Sequence, residues 1–145
     1  MKAAWWTNGL TVRFSLVLTL FLGVSLTSLA QDTFEHKQGD TVYVMKKYYM
    51  VFLMRGDKAF ELDSLQLEKI QAGHMAHLDS LAKAGKICMA GPFDEDTEYR
   101  GIAIYTNVKD KEEARALAEA DPAVKAGRIK IDVRPWWAAK GTKLP

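Results

Sequence analysis

Between residues 48 and 134 the chain switches repeatedly between two hydrophobic periods. The run Tyr48-Tyr49-Met50-Val51-Phe52-Leu53-Met54 is aromatic and β-branched and is apolar at both alternations. That is the pattern of a central strand covered on both faces. Gly56-Asp57 breaks it. Leu67, Ile70, His74, Leu78 and Leu81 then recur at i, i+3, i+7, i+11 and i+14, one stripe at 3.6 residues per turn. Asp63, with Gln66 three residues on, starts this helix as a capping box, and Gly85 ends it just after Ala84. Ile87 to Met89 reads as a short strand. A turn at Gly91-Pro92, the acidic loop DEDTE and a strand over Gly101–Tyr105 follow, a hairpin with a long solvated connection.

Lys109 to Ala120 is rich in strong helix formers, with acids at its start, and predicts a second helix. Asp121-Pro122 interrupts it and Gly127 ends the short turn beyond. From Arg128 to Arg134 apolar and charged residues alternate without a fault. Such alternation means a strand with one buried face, and its charged face suits a sheet edge. The order is β-α-β-β-α-β, an α+β domain of the ferredoxin-like type, in which two right-handed crossovers place both helices on one sheet face. The polar residues 31–47 predict a flexible lead-in, and 138–145 a C-terminal tail.

The first 30 residues follow different rules. They hold only Lys2 and Arg13 as charges and no acid. Phe14 to Leu26 is apolar but shorter than the roughly 20 residues that span a bilayer, and Ser28-Leu29-Ala30 puts small residues at −3 and −1 of a cleavage site. The expectation is a signal peptide cut after Ala30 and a product exported to the periplasm or the medium. The alternative, an uncleaved anchor, lacks a following cluster of Lys or Arg. No cysteine stands at the cut to carry a lipid. After cleavage 18 bases balance 18 acids, and this formal neutrality argues against phosphate-driven nucleic-acid binding, for which a basic patch would supply most of the affinity. Cys88 is the only cysteine and has no disulfide partner; within KICMAG it reads as a buried, inert thiol.

Two residues carry candidate chemistry. His74 lies at the angular centre of the apolar stripe, so its ring points at the sheet, as either a satisfied core histidine or a site residue. Gly73 beside it costs the helix up to about 1 kcal/mol relative to alanine, which suggests close approach of another backbone or a ligand. Asp121 before Pro122 is a helix N-cap with proline at N1, worth about 1 kcal/mol, and one carboxylate oxygen can cap while the other accepts from a histidine. The histidines are His36, His74 and His77. His74 and His77 stand at i, i+3, but no acid lies at 70, 71 or 81 to complete a metal site. No metal and no other cofactor is expected.

The helix QAGHMAHLDSLAKAGK, then Ala90-Gly91-Pro92-Phe93, Arg100-Gly101-Ile102, Asp121-Pro122-Ala123-Val124-Lys125-Ala126-Gly127 and the closing Arg134-Pro135-Trp136 together resemble the YCII-related family over residues 48 to 137. The resemblance implies a ferredoxin-like domain that pairs sheet to sheet as a dimeric α/β barrel, with His74 and Asp121 as a catalytic pair and Pro92, Arg100 and Trp136 on the substrate side. His77 inherits no role. Many members carry an aromatic after Asp-Pro, where Ala123 is small. An imidazole whose one nitrogen is held by a carboxylate can move a proton at the other. No Ser or Cys partner for acyl transfer can be placed. The expected function is a homodimeric lyase or isomerase acting on a small organic substrate in the inter-sheet cavity. The alternatives are a non-catalytic module that binds a small ligand in the same cavity and a dimeric adaptor.

Overall fold

The structure, a computed structural model, describes residues 32–142. The expected signal peptide, its expected cleavage after Ala30 and the last three residues of the tail lie outside the described residues. The elements are β1 (Thr33–Gln38), β2 (Thr41–Arg55), α1 (Ser64–Lys83), β3 (Ile87–Pro92), β4 (Tyr99–Tyr105), α2 (Lys111–Glu119), α3 (Pro122–Lys125) and β5 (Ile129–Ala139). β2 pairs antiparallel with β4 on one margin and β5 on the other, and β3 pairs antiparallel with β4. The order β3-β4-β2-β5, with a helical crossover between β2 and β3 and another between β4 and β5, is the ferredoxin-like arrangement.

The helix ends follow the capping chemistry. Asp63 accepts from the Gln66 backbone N–H at 2.9 Å while its own N–H donates to Gln66 Oε1 at 3.0 Å, closing the capping box. Asp110 caps α2 through the Glu113 N–H at 2.8 Å. The core lies between the helices and the odd-numbered face of β2: Tyr49 and Val51 meet Ala103 and Tyr105 of β4, Val133 of β5, Leu81 of α1 and Ala114 and Ala118 of α2. The even-numbered face, with Tyr48, Met50, Phe52 and Met54, is half-buried. β5 keeps Val133 buried and leaves Lys130 and Arg134 exposed.

Three expectations are corrected. The stretch 31–47 is not a featureless lead-in. It forms β1 and the first half of β2, an arm joined by a two-residue loop whose first residue, Gly39, takes φ 60°, a turn whose twist matches paired strands. The solvent-exposed flanks of the arm carry no buried period, which is why its strands do not stand out in the sequence. Met45 and Lys46 pair with both β1 and β5, so β1 runs along the same margin of β2 as β4. The tail is also shorter than expected, since β5 continues to Ala139 against β2. Finally, Cys88 is exposed rather than buried. Ile87 faces Tyr105 and Met89 faces Ile104, so Cys88 is the extra residue of a β-bulge. Local desolvation still raises its thiol pKa, which disfavours the reactive thiolate.

Candidate functional site

α1 presents His74, 8% exposed, toward the start of α3, where Asp121 is 3% exposed. His74 Nδ1 lies 2.6 Å from Asp121 Oδ2. The other carboxylate oxygen, Oδ1, accepts the Ala123 backbone N–H at 2.8 Å and so caps α3. Each oxygen of Asp121 thus has its own donor. The cap fixes the carboxylate's rotation, and the rotation aims Oδ2 at the imidazole. A carboxylate this deeply buried needs such partners, because an unpaired one costs several kcal/mol. With Nδ1–H donating to Asp121, the remaining ring nitrogen Nε2 is an acceptor.

Nε2 has no hydrogen bond among the described residues, yet no sealed side-chain nitrogen or oxygen there lacks a partner, so Nε2 is open to its surroundings. Those surroundings are a cavity of about 760 Å³ between α1 and the β3–β4 side of the sheet, with His74 in its wall. The volume suits a small organic molecule. Leu53, Leu67, Leu78, Ile87 and Ile129 make much of the wall apolar. Phe60, at the same cavity, is 83% exposed.

Pro92 and Arg100, assigned to the substrate side by the resemblance, also line this cavity. Trp136 does not. It pairs with Tyr48 on the even-numbered face, where the two rings lie 6.0 Å apart. The cavity is therefore on the helix side of the sheet within one chain, and not between two sheets as expected. The reason is geometric: the stripe that carries His74 packs toward the helix-covered face, so its ring cannot reach the other one. His77 donates from Nε2 to the Leu117 carbonyl at 2.9 Å and ties α1 to α2.

Two residues near the site escaped the sequence reading. Tyr105 is buried in the core, and burial, with a second contribution from the Asp121 carboxylate, pushes its phenol far above the ordinary tyrosine range. It stays protonated, a neutral neighbour of the carboxylate. Its position on the inward alternation of β4 was the available signal. Arg55 lines the cavity at the end of β2, and its signal was a lone charge closing an apolar strand. Among the described residues no three His, Cys, Asp or Glu side chains converge as metal ligands would, and none of the helices there is long and apolar enough to cross a membrane.

No curated protein matches the chain. Among solved structures, 5-chloro-2-hydroxyhydroquinone dehydrochlorinase from Burkholderia phenoliruptrix AC1100, in complex with 2,5-dihydroxybenzoquinone, is similar at 21% identity, over 61% of this chain and 92% of that one, with a TM-score of 0.46. The family model of the YCII-related domain matches residues 48–137, which run from Tyr48 in the middle of β2 to Trp137 in β5 and include both His74 and Asp121. The chain belongs to the YCII-related domain family.

Proposed function

We propose that the chain is an acid–base enzyme, a lyase or isomerase that moves a proton on a small organic substrate held in the α1–sheet cavity. The observation that carries this reading is the 2.6 Å contact of His74 Nδ1 with Asp121 Oδ2, with Asp121 Oδ1 tied down by the Ala123 N–H. In the neutral imidazole Nδ1 keeps its proton on Asp121 and Nε2 offers a lone pair to the cavity. When Nε2 takes a proton from substrate carbon or oxygen, the ring becomes an imidazolium, and the carboxylate beside Nδ1 stabilises its charge. Return of that proton to another substrate atom isomerises the substrate, and its transfer to a leaving group completes an elimination. His74 is the catalytic residue in this scheme, and Asp121 orients it.

A homodimer accompanies this function. Tyr48, Met50, Phe52 and Met54 form an apolar row on the sheet face away from the helices, and a row of that kind favours burial against a two-fold mate as a dimeric α/β barrel. Export with cleavage after Ala30 rests on the apolar run Phe14–Leu26 and the small residues Ser28 and Ala30.

A thermal-shift screen of small metabolites identifies a ligand, and the reaction is then followed on that ligand. In the proposed enzyme, His74→Gln retains binding and loses turnover. A ligand that is bound but never transformed, with unchanged affinity in the His74→Gln protein, points to a binding module instead.

A further inference from the structure

Three arginines gather at one end of the sheet, beside the acidic loop that carries Asp96. Arg55 ends β2, Arg100 lies near the start of β4 and Arg128 directly precedes β5, and all three line the cavity that contains His74. Arg100 reaches it through a bulge: Leu53 faces Gly101 and Met54 faces Tyr99, which leaves Arg100 as the extra residue. Bulges redirect single side chains in this way. Arg128 is held by Gln71 Oε1 at 2.7 Å. Arg55 lies with its guanidinium carbon 5.0 Å from the centre of the Phe60 ring.

The Arg55 and Arg100 guanidinium groups converge on one atom. Asp96 Oδ1 accepts from Arg55 Nη2 and, at 2.6 Å, from Arg100 Nη1. Asp96 belongs to the acidic loop between β3 and β4, and its side chain is 83% exposed. A carboxylate so open to water gains little from the pair. The two arginines are less exposed, at 28% and 39%, and their backbone ties to the Thr97 carbonyl do not depend on Asp96.

We propose that Arg55 and Arg100 form a carboxylate-binding subsite of the cavity, that the Asp96 carboxylate occupies it in the ligand-free protein, and that the substrate is a small organic carboxylate that displaces Asp96. The inference rests on the acid–base reading of the same cavity, whose substrate class it names. A guanidinium pair suits a carboxylate because its donors meet both oxygens in one plane. The exchange replaces a solvent-exposed internal carboxylate with one bound against apolar walls, where the same pairing is screened less. The bound carboxylate anchors the substrate at the arginine end, and the remainder of the molecule extends along the cavity that His74 Nε2 faces.

The test uses benzoate and its neutral isostere benzamide as probes, with binding measured by calorimetry on the whole protein at low salt. Benzoate is expected to bind about tenfold more tightly than benzamide, a difference typical of a charge-assisted pair. Asp96→Asn is expected to strengthen benzoate binding by about three- to tenfold, the internal competitor having lost its charge, and to leave benzamide unchanged. Arg100→Gln is expected to abolish the preference. Because Asp96 is exposed, circular dichroism of the variant confirms folding, and Asp96→Ala supplies a second reading. Equal affinity for the two probes overturns the proposal, as does benzoate binding that is undetectable in every protein, or that Asp96→Asn leaves unchanged or weakens. The same titration on His74→Gln keeps the two claims apart: retained benzoate preference supports the subsite whatever becomes of proton transfer.

Discussion

Gly73 lies against the ring of Pro122, so closely that a Cβ at position 73 would sit 3.1 Å from both Cβ and Cγ of the proline. Each is the sequence neighbour of a site residue, and their contact sets the distance at which His74 and Asp121 meet. The helix gives up about 1 kcal/mol of propensity for this approach. Gly73→Ala should regain that amount and lose about 1–3 kcal/mol to overpacking. The expected outcome is a modest net loss of stability with a disproportionate loss at the site. Proton NMR checks it: the parent protein should show a sharp downfield Nδ1–H resonance for His74, and that resonance should weaken or shift in the variant.

A second outcome concerns acid stability. The hydrogen bond from Lys86 Nζ, and then the one from the Lys109 backbone N–H, lowers the Glu113 pKa below its ordinary value of 4.5. A folded-state value below the unfolded one contributes stability above the ordinary value, and that contribution disappears as pH falls through the folded one. Glu113 is about one-third exposed, so the contribution is below about 1 kcal/mol. Glu113→Gln should lower the melting temperature slightly at neutral pH and leave it unchanged at the acid end. A deficit that is constant across pH would mean that the charge is irrelevant.

Assembly gives a third. A chain that buries Tyr48, Met50, Phe52 and Met54 against a second copy should scatter light as a dimer at micromolar concentration, and Phe52→Asp should convert it to monomer. A parent protein that is monomeric under those conditions would remove the barrel from the account.

Processing gives a fourth. Mass analysis of exported material should find a chain beginning at Gln31. A membrane-bound product retaining Met1 would contradict both the cleavage and the export.

The sequence disclosed the parts whose physics is local. The capping box at Asp63, the stripe through His74 and the alternation of Arg128–Arg134 each depend on neighbours within a few residues, and each appears as expected. The double duty of Asp121, cap and histidine partner, was legible as a possibility in Asp-Pro chemistry, and the structure realises it. What was hidden depended on pairing across distance. The bulges that re-aim Cys88 and Arg100 arise from register with β4 and β2, which no single strand encodes. The arm over 33–46 buries almost nothing, so hydrophobic periodicity passed it by, although Gly39-Asp40 between two β-rich runs was a usable hairpin signal. Trp136 was carried to the substrate side by its place in a motif, whereas strand alternation puts it opposite the cavity.

The most direct measurement is turnover by Asp121→Asn set beside its stability. Asparagine caps a helix about as well as aspartate, so the variant should lose less than about 1 kcal/mol from the cap. With its amide oxygen capping Ala123, however, it turns an NH2 group toward His74 Nδ1. That contact demands an unprotonated Nδ1 and shifts the ring proton to Nε2, where a base is needed. Turnover should fall by about 10²–10⁴-fold, the range general acid–base catalysis supplies, while the melting temperature barely moves. Full turnover by the folded Asp121→Asn protein would contradict the His74–Asp121 account.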